Sequence, residues 1–178
     1  DIDTATIADY LNILDRLFIT DNQKTFSTKI RSSVRIKQSE KRHFCDPSLA
    51  CALLNITPHM LLNDLETLGF LFESLCERDL KIYAESIDAH VYHYQDYKNR
   101  EIDTIIELND GRWCAIEIKL GANQIESAAE NLKKIYEEME KDPKSILPSA
   151  MIIVCGLSNA VYQREDGIYV VPLTALKD

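Results

Sequence analysis

The stretch EIDTIIELNDGRWCAIEIK, residues 101–119, places two apolar runs on either side of Asn109-Asp110-Gly111 and interrupts them with Glu101, Asp103, Glu117 and Lys119. Asn-Asp-Gly as a three-residue loop predicts a type I turn closed by glycine in the left-handed region. Pairing then runs 108 with 112, 107 with 113, 105 with 115, 103 with 117 and 101 with 119. Side chains alternate along a strand, so Ile102, Ile106 and Leu108 share a core face with Cys114, Ile116 and Ile118. The opposite face carries Glu101, Asp103, Ile105 and Glu107 against Lys119, Glu117, Ala115 and Trp113. A two-residue Asp-Gly turn would instead set Asp103 opposite Ile118 and put a charge on the core face, which disfavours it.

This register sets Asp103 across from Glu117, and like charges directly opposite each other destabilise an antiparallel pair. Two carboxylates with Lys119 beside them are a ready site for a hard divalent cation such as Mg²⁺. Such a cation turns the repulsion into coordination and can hold the attacking water of phosphodiester hydrolysis. Lys119 would orient that water or stabilise developing negative charge. The plainer reading is a solvated sheet face with Glu101 and Lys119 as an ordinary cross-strand ion pair.

Outward from the hairpin, HVYHYQ and neighbours (89–97), AMIIVCG (150–156) and GIYVVPL (167–173) read as further strands, and KIYAES (81–86) as another. NQIESAAENLKKIYEEMEKD (123–142) has apolar residues at 125, 128, 129, 132, 135, 136 and 139, the stripe of an amphipathic helix. Asn123 and Gln124 stand where they can cap that helix or contact a substrate phosphate. Thr57-Pro58 starts a helix with apolar positions 61, 65, 68, 72 and 75 that reaches about Leu80. Asp46-Pro47 starts a shorter one, and 4–19 has a third helical face with Thr4 or Thr6 as cap. The order helix, three strands, helix, strand predicts an α/β (α+β) layered core with a mixed sheet flanked by helices. Residues 18–43 predict two strands; with the helix before them they resemble the second half of a winged helix. The division expected is 1–57 for this partial winged-helix-like segment and linker helix, and 58–178 for the sheet domain.

The charge is unevenly spread. Residues 24–43 hold Lys24, Lys29, Arg31, Arg35, Lys37, Lys41 and Arg42 against the single acid Glu40, a net +6 that leaves −15 for the rest of a chain of formal charge −9. Bulk charge argues against indiscriminate nucleic-acid binding, while Lys29, Arg31, Arg35 and Lys37 form a local patch able to meet phosphate. A basic edge that only keeps a hairpin soluble fits equally well. Five cysteines with no C-x-x-C pair read as small buried hydrophobes in a reducing cytoplasm, not a zinc or disulfide framework. No apolar run approaches the roughly 20 residues that cross a bilayer. The chain starts with Asp, so it is expected to be part of a longer protein.

Glu101-x-Asp103 followed by Glu117-x-Lys119 resembles the D…E-x-K signature of the PD-(D/E)XK nuclease superfamily. The resemblance covers roughly 61–156 and implies a restriction-endonuclease-like mixed sheet. It further implies Asp103 and Glu117 as Mg²⁺ ligands, Lys119 as charge stabiliser and Glu73 of GFLFESL as an auxiliary acid from the preceding helix. TIADYLNIL (6–14), KRHFCDPSLACALL (41–54), LGFLFESL (68–75), HYQDYKNREIDTIIE (93–107) and RWCAIEIKLG (112–121) resemble the C-terminal domain of unknown function of bacterial and archaeal AAA-type ATPases. That likeness implies an ATP-binding P-loop module upstream as partner, since no G-x-x-x-x-G-K-[ST] occurs in this chain. Two functions from different classes follow: a Mg²⁺-dependent DNA-cleaving module, or a catalytically silent interaction domain that targets the ATPase to a protein or nucleic acid.

Overall fold

A computed structural model describes residues 3–26 and 40–176. The basic residues Lys29, Arg31, Arg35 and Lys37 lie outside the described residues. Helix α1 (Thr4–Arg16) is capped by Asp3, whose carboxylate accepts from the Ala5 N–H, so the cap falls one residue before the threonines expected to supply it. Strands β1 (Thr20–Gln23) and β2 (Lys41–Phe44) pair antiparallel, with Thr20 opposite Phe44. Helix α2 (Pro47–Leu53) begins at the Asp46 cap, as the Asp-Pro pair predicts.

The helix expected over 57–80 is two helices. Thr57 caps α3 (Pro58–Asn63), and Asp64 then leaves helical geometry and caps α4 (Leu65–Ser86) by accepting from the Thr67 N–H and hydroxyl. A carboxylate that satisfies exposed helix-start donors offers the chain an alternative to continuing the preceding turn. Residues 81–86, expected as a strand, continue α4. Leu80 and Ala84, four apart, are both buried and keep the helical stripe running one more turn.

Strands β3 (His90–Gln95), β4 (Glu101–Glu107) and β5 (Trp113–Lys119) form an antiparallel meander. Helix α5 (Ile125–Glu140) crosses over to β6 (Ala150–Cys155), which runs parallel to β5. The short β7 (Tyr162–Gln163) and β8 (Tyr169–Pro172) complete a six-stranded mixed sheet in the order β3-β4-β5-β6-β8-β7. Helix α4 covers one face and α5 the other, so the α/β expectation stands.

The hairpin register is as predicted: Glu107 faces Trp113 and Ile105 faces Ala115, with Gly111 at φ 84°. The face expected to be solvated is not. Ile105, Trp113 and Ala115 are packed beneath α5 with Ile125, Ala128, Ala129 and Leu132. Ile116, Ile118 and Val154 pack on the other side against Cys76 and Leu80 of α4. A sheet covered on both faces buries both sets of alternating side chains.

One residue departs from the alternation. Tyr92 pairs with Ile105 but Tyr94 with Ile102, so Asp103 and Thr104 together oppose His93. This bulge turns Ile102 into the α5-side core beside Ile105, away from Ile106, and sits at the residue that carries the acid. Phe26, just after β1, also enters that core, with ring centroids 4.9 Å from Trp113 and 5.7 Å from Tyr92.

Gly156 ends β6 where a side chain does not fit: an added Cβ would stand 2.9 Å from Phe72 Cζ and 3.1 Å from the Leu120 carbonyl oxygen. Gly156→Ala is therefore expected to cost about 1–3 kcal/mol in urea unfolding, the range for overpacking. An unchanged midpoint would show that α4 yields at Phe72.

Candidate functional site

Asp103 and Glu117 are brought together at the ends of β4 and β5, both buried. Asp103 Oδ2 accepts from the Ile118 N–H at 2.8 Å and from Lys119 Nζ at 3.0 Å. Glu117 Oε2 lies 2.6 Å from the same ammonium, so Lys119 bridges the two carboxylates. The cross-strand pair expected between Lys119 and Glu101 is not what forms. Glu101 is exposed and accepts from Gln95, while the bulge turns Asp103 toward the lysine.

A second lysine comes from the N-terminal segment. Lys41 of β2 reaches Glu73 Oε1 at 2.5 Å, Glu77 Oε1 at 3.3 Å and Asp103 Oδ1 at 3.7 Å. Glu73 and Glu77 are one α4 turn apart and so share a face. Glu77 also meets His43 of β2. The α4 acid expected at the site is thus present, linked to Asp103 through an ammonium.

Burial and the neighbouring Asp103 charge push Glu117 up to about 7, against the pull of Lys119 and the Asn131 amide. Burial pushes Asp103 upward as well, but Lys119, Lys41 and the Ile118 N–H outweigh it and hold that carboxyl below its ordinary value. Burial raises Glu77, opposed by His43 and Lys41. Both lysines are held charged: burial works against them, and the surrounding carboxylates prevail.

The Glu117 shift has a stability consequence of definite sign. A carboxyl whose folded pKa is raised adds stability below its ordinary value near 4.5, and that stability is lost as pH rises through about 7. In EDTA, the thermal midpoint of the protein should therefore fall across this window. Glu117→Gln should flatten the fall, its advantage over wild type growing by roughly 2–3 kcal/mol from pH 4.5 to 8. Parallel pH profiles for the two proteins would contradict the raised value.

Two open grooves meet at Phe70 and Glu73, and Asp103 lines the first of them. One, of about 500 Å³, is lined by Lys41, Arg42, Phe44, Phe70, Glu73 and Asp103. The other, of about 450 Å³, runs past Phe70, Glu73, Lys119, Gly121, Asn123 and Gln124. Gln124 ends a short 3₁₀ turn, and its Oε1 accepts from the Gly121 N–H at 3.1 Å, so it closes the turn into α5 while lining this groove.

Asp103, Glu117, Lys119 and Glu73 gather as expected. Lys41, Glu77, His43 and Asn131 were not anticipated. Asn131 had a signal in the sequence: it lies three residues after Ala128 and four before Ile135, a polar amide on the rim of the buried α5 stripe. Lys41 had none, because only the fold brings β2 beside α4.

The family described as Domain of unknown function (DUF4143) matches residues 68–176. The chain belongs to that family. A second description, Domain of unknown function (DUF8612), matches residues 1–60. No curated protein and no solved structure gives a significant match. Glu73, Asp103, Glu117, Lys119, Gln124 and Asn131 all fall within the DUF4143 portion, whereas Lys41 and His43 fall within the segment matched by DUF8612. Among the described residues, no helix is long and apolar enough to cross a membrane.

Proposed function

We propose that this chain is a nuclease-like module of the PD-(D/E)XK type, using a divalent cation to cleave phosphodiester bonds in DNA. The observation that carries the reading is the bridged pair: two buried carboxylates on adjacent strand ends, held by one lysine at 3.0 and 2.6 Å. Among the described residues, no group of three or more His, Cys, Asp and Glu side chains is poised for a metal. A two-carboxylate set fits Mg²⁺, which keeps several waters and takes one or two protein carboxylates along with substrate phosphate. It does not fit zinc, which demands a fuller protein shell.

Asp103 and Glu117 would hold the cation, which when bound supplies Lewis acidity and an acidified water. The Ile118 N–H keeps Asp103 in place. Lys119, held charged, offers its ammonium to the negative charge that builds on a reacting phosphate. Lys41 and Arg42 at the mouth of one groove are suited to the phosphates on either side. Glu73 would act as an auxiliary acid through its tie to Lys41, and Gln124 as a phosphate contact from the second groove. The test is incubation of labelled single- and double-stranded DNA with the protein in Mg²⁺ or Mn²⁺ and in EDTA. Cation-dependent cleavage is expected, and its absence from well-folded protein overturns the reading.

A second reading has its own support. Helix α1 buries none of its residues, and Ile7, Tyr10 and Ile13 along it and Leu17 at its C-cap are all exposed. A contiguous apolar face of this kind fits an interaction domain, and an upstream ATP-binding module of the AAA type is the partner that the sequence resemblance proposes. Under this reading, neutralising Lys29, Arg31, Arg35 and Lys37 abolishes partner or DNA binding, whereas alanine at Asp103 or Glu117 leaves it unchanged.

A further inference from the structure

Asn131 lies on α5, outside the carboxylate–lysine bridge, and its amide nitrogen donates twice. One bond goes to the Glu101 carbonyl oxygen at 2.7 Å, the other to Glu117 Oε1 at 2.8 Å. A primary amide nitrogen carries two hydrogens, and both are spent here, one on the Glu101 carbonyl oxygen and one on Glu117 Oε1. The two acceptors sit on the two strands that bear the proposed ligands. Glu101 opens β4 two residues before Asp103, and Glu117 lies on β5.

This matters because the β4–β5 ladder ends short of the site. Its pairs run from Glu107–Trp113 to Thr104–Ile116, and the bulge removes Asp103 from regular pairing. Beyond Thr104, the Asp103 bond to the Ile118 N–H and the Asn131 amide connect the strand ends. The amide also fixes one oxygen of Glu117. A carboxyl group turns broadly about its last torsion, so a donor on Oε1 leaves Oε2 directed at Lys119 and the space beside Asp103.

We infer that Asn131 is a positioning residue that orients the Glu117 carboxylate and locks the two ligand-bearing strands at the distance a divalent cation requires. The inference rests on the cation-dependent reading above and assigns this helix residue a role in it. Partners that orient metal ligands are typically worth 10–100-fold in affinity. Aspartate is the discriminating replacement: it has the same size, but it sets an acceptor against a carbonyl and a carboxylate, turning both contacts repulsive.

Isothermal titration with Mn²⁺ on the whole chain tests this. Asn131→Asp and Asn131→Ala should each bind Mn²⁺ at least 10-fold more weakly than wild type, and the low-temperature EPR line shape of the bound ion should change. In EDTA, Glu117→Gln should raise the thermal midpoint of Asn131→Asp by more than it raises that of wild type, because glutamine can donate to the new carboxylate. Wild-type Mn²⁺ affinity in both single variants overturns the positioning role and leaves the cation reading standing. No Mn²⁺ binding by wild type overturns the cation reading, and with it the role built upon it. An equal gain from Glu117→Gln in the two backgrounds overturns the contact itself.

Discussion

Asp103→Asn is expected to lower Mg²⁺-dependent cleavage by about 10³-fold or more, equivalent to about 4 kcal/mol of transition-state stabilisation. The substitution is nearly isosteric, and its amide oxygen can still accept from the Ile118 N–H that now bonds Asp103. What it removes is the negative charge shared with Lys119 at 3.0 Å and Lys41 at 3.7 Å. Lys119 keeps Glu117, and Lys41 keeps Glu73 and Glu77, so neither ammonium is stranded. The variant should therefore fold with a midpoint near wild type. A cation that holds the wild-type pair should raise its thermal midpoint by mass action and leave the variant unmoved. Equal cleavage by the two proteins would remove Asp103 from the chemistry.

Lys41→Met is expected to destabilise the protein by about 2–4 kcal/mol at pH 7. Methionine preserves most of the apolar stem but leaves Glu73, Glu77 and Asp103 facing one another without the ammonium they share. Removing one partner of a buried ion pair costs about 3–5 kcal/mol, and the 23% exposure of the Lys41 side chain moderates that figure. The sign with pH is fixed. Lys41 pulls the Glu77 and Asp103 carboxyls down, so its loss moves both up; the variant's deficit is present where they are ionised and shrinks as falling pH protonates them. Urea midpoints at pH 4 and pH 7 decide it, and a deficit that does not shrink at low pH would mean that Lys41 acts through packing alone. Because Lys41 lies in the segment matched by DUF8612 and its acids lie in the DUF4143 portion, the deficit also measures how firmly the two segments are joined.

The elements most legible in the sequence are those whose signals are local. The Asn-Asp-Gly loop set the β4–β5 register, the seven-position apolar stripe set α5, and the Asp-Pro and Thr-Pro pairs set the starts of α2 and α3. The errors occurred where a local signal was overruled. Lys81–Ser86 carries strand-like residues, yet Leu80 and Ala84 bury one helical face and hold it in α4. Asp64 reads as an ordinary polar position inside a helix, yet it ends one helix and caps the next.

By itself, then, the sequence determined the hairpin, the α/β layering and the presence of Asp103, Glu117 and Lys119 at neighbouring strand ends, because a strand's two-residue period and a turn's glycine are properties of short segments. Only the tertiary structure decided how those charges are used. Covering the second sheet face with α5 turned a solvated pair of acids into a buried one and drew in Asn131. The bulge at Asp103 broke the alternation and gave Lys119 to both acids instead of Glu101. Docking β2 against α4 brought Lys41 to three carboxylates at least 32 residues away in sequence. Burial and long-range pairing set these energies, and neither is encoded within any single stretch of the chain.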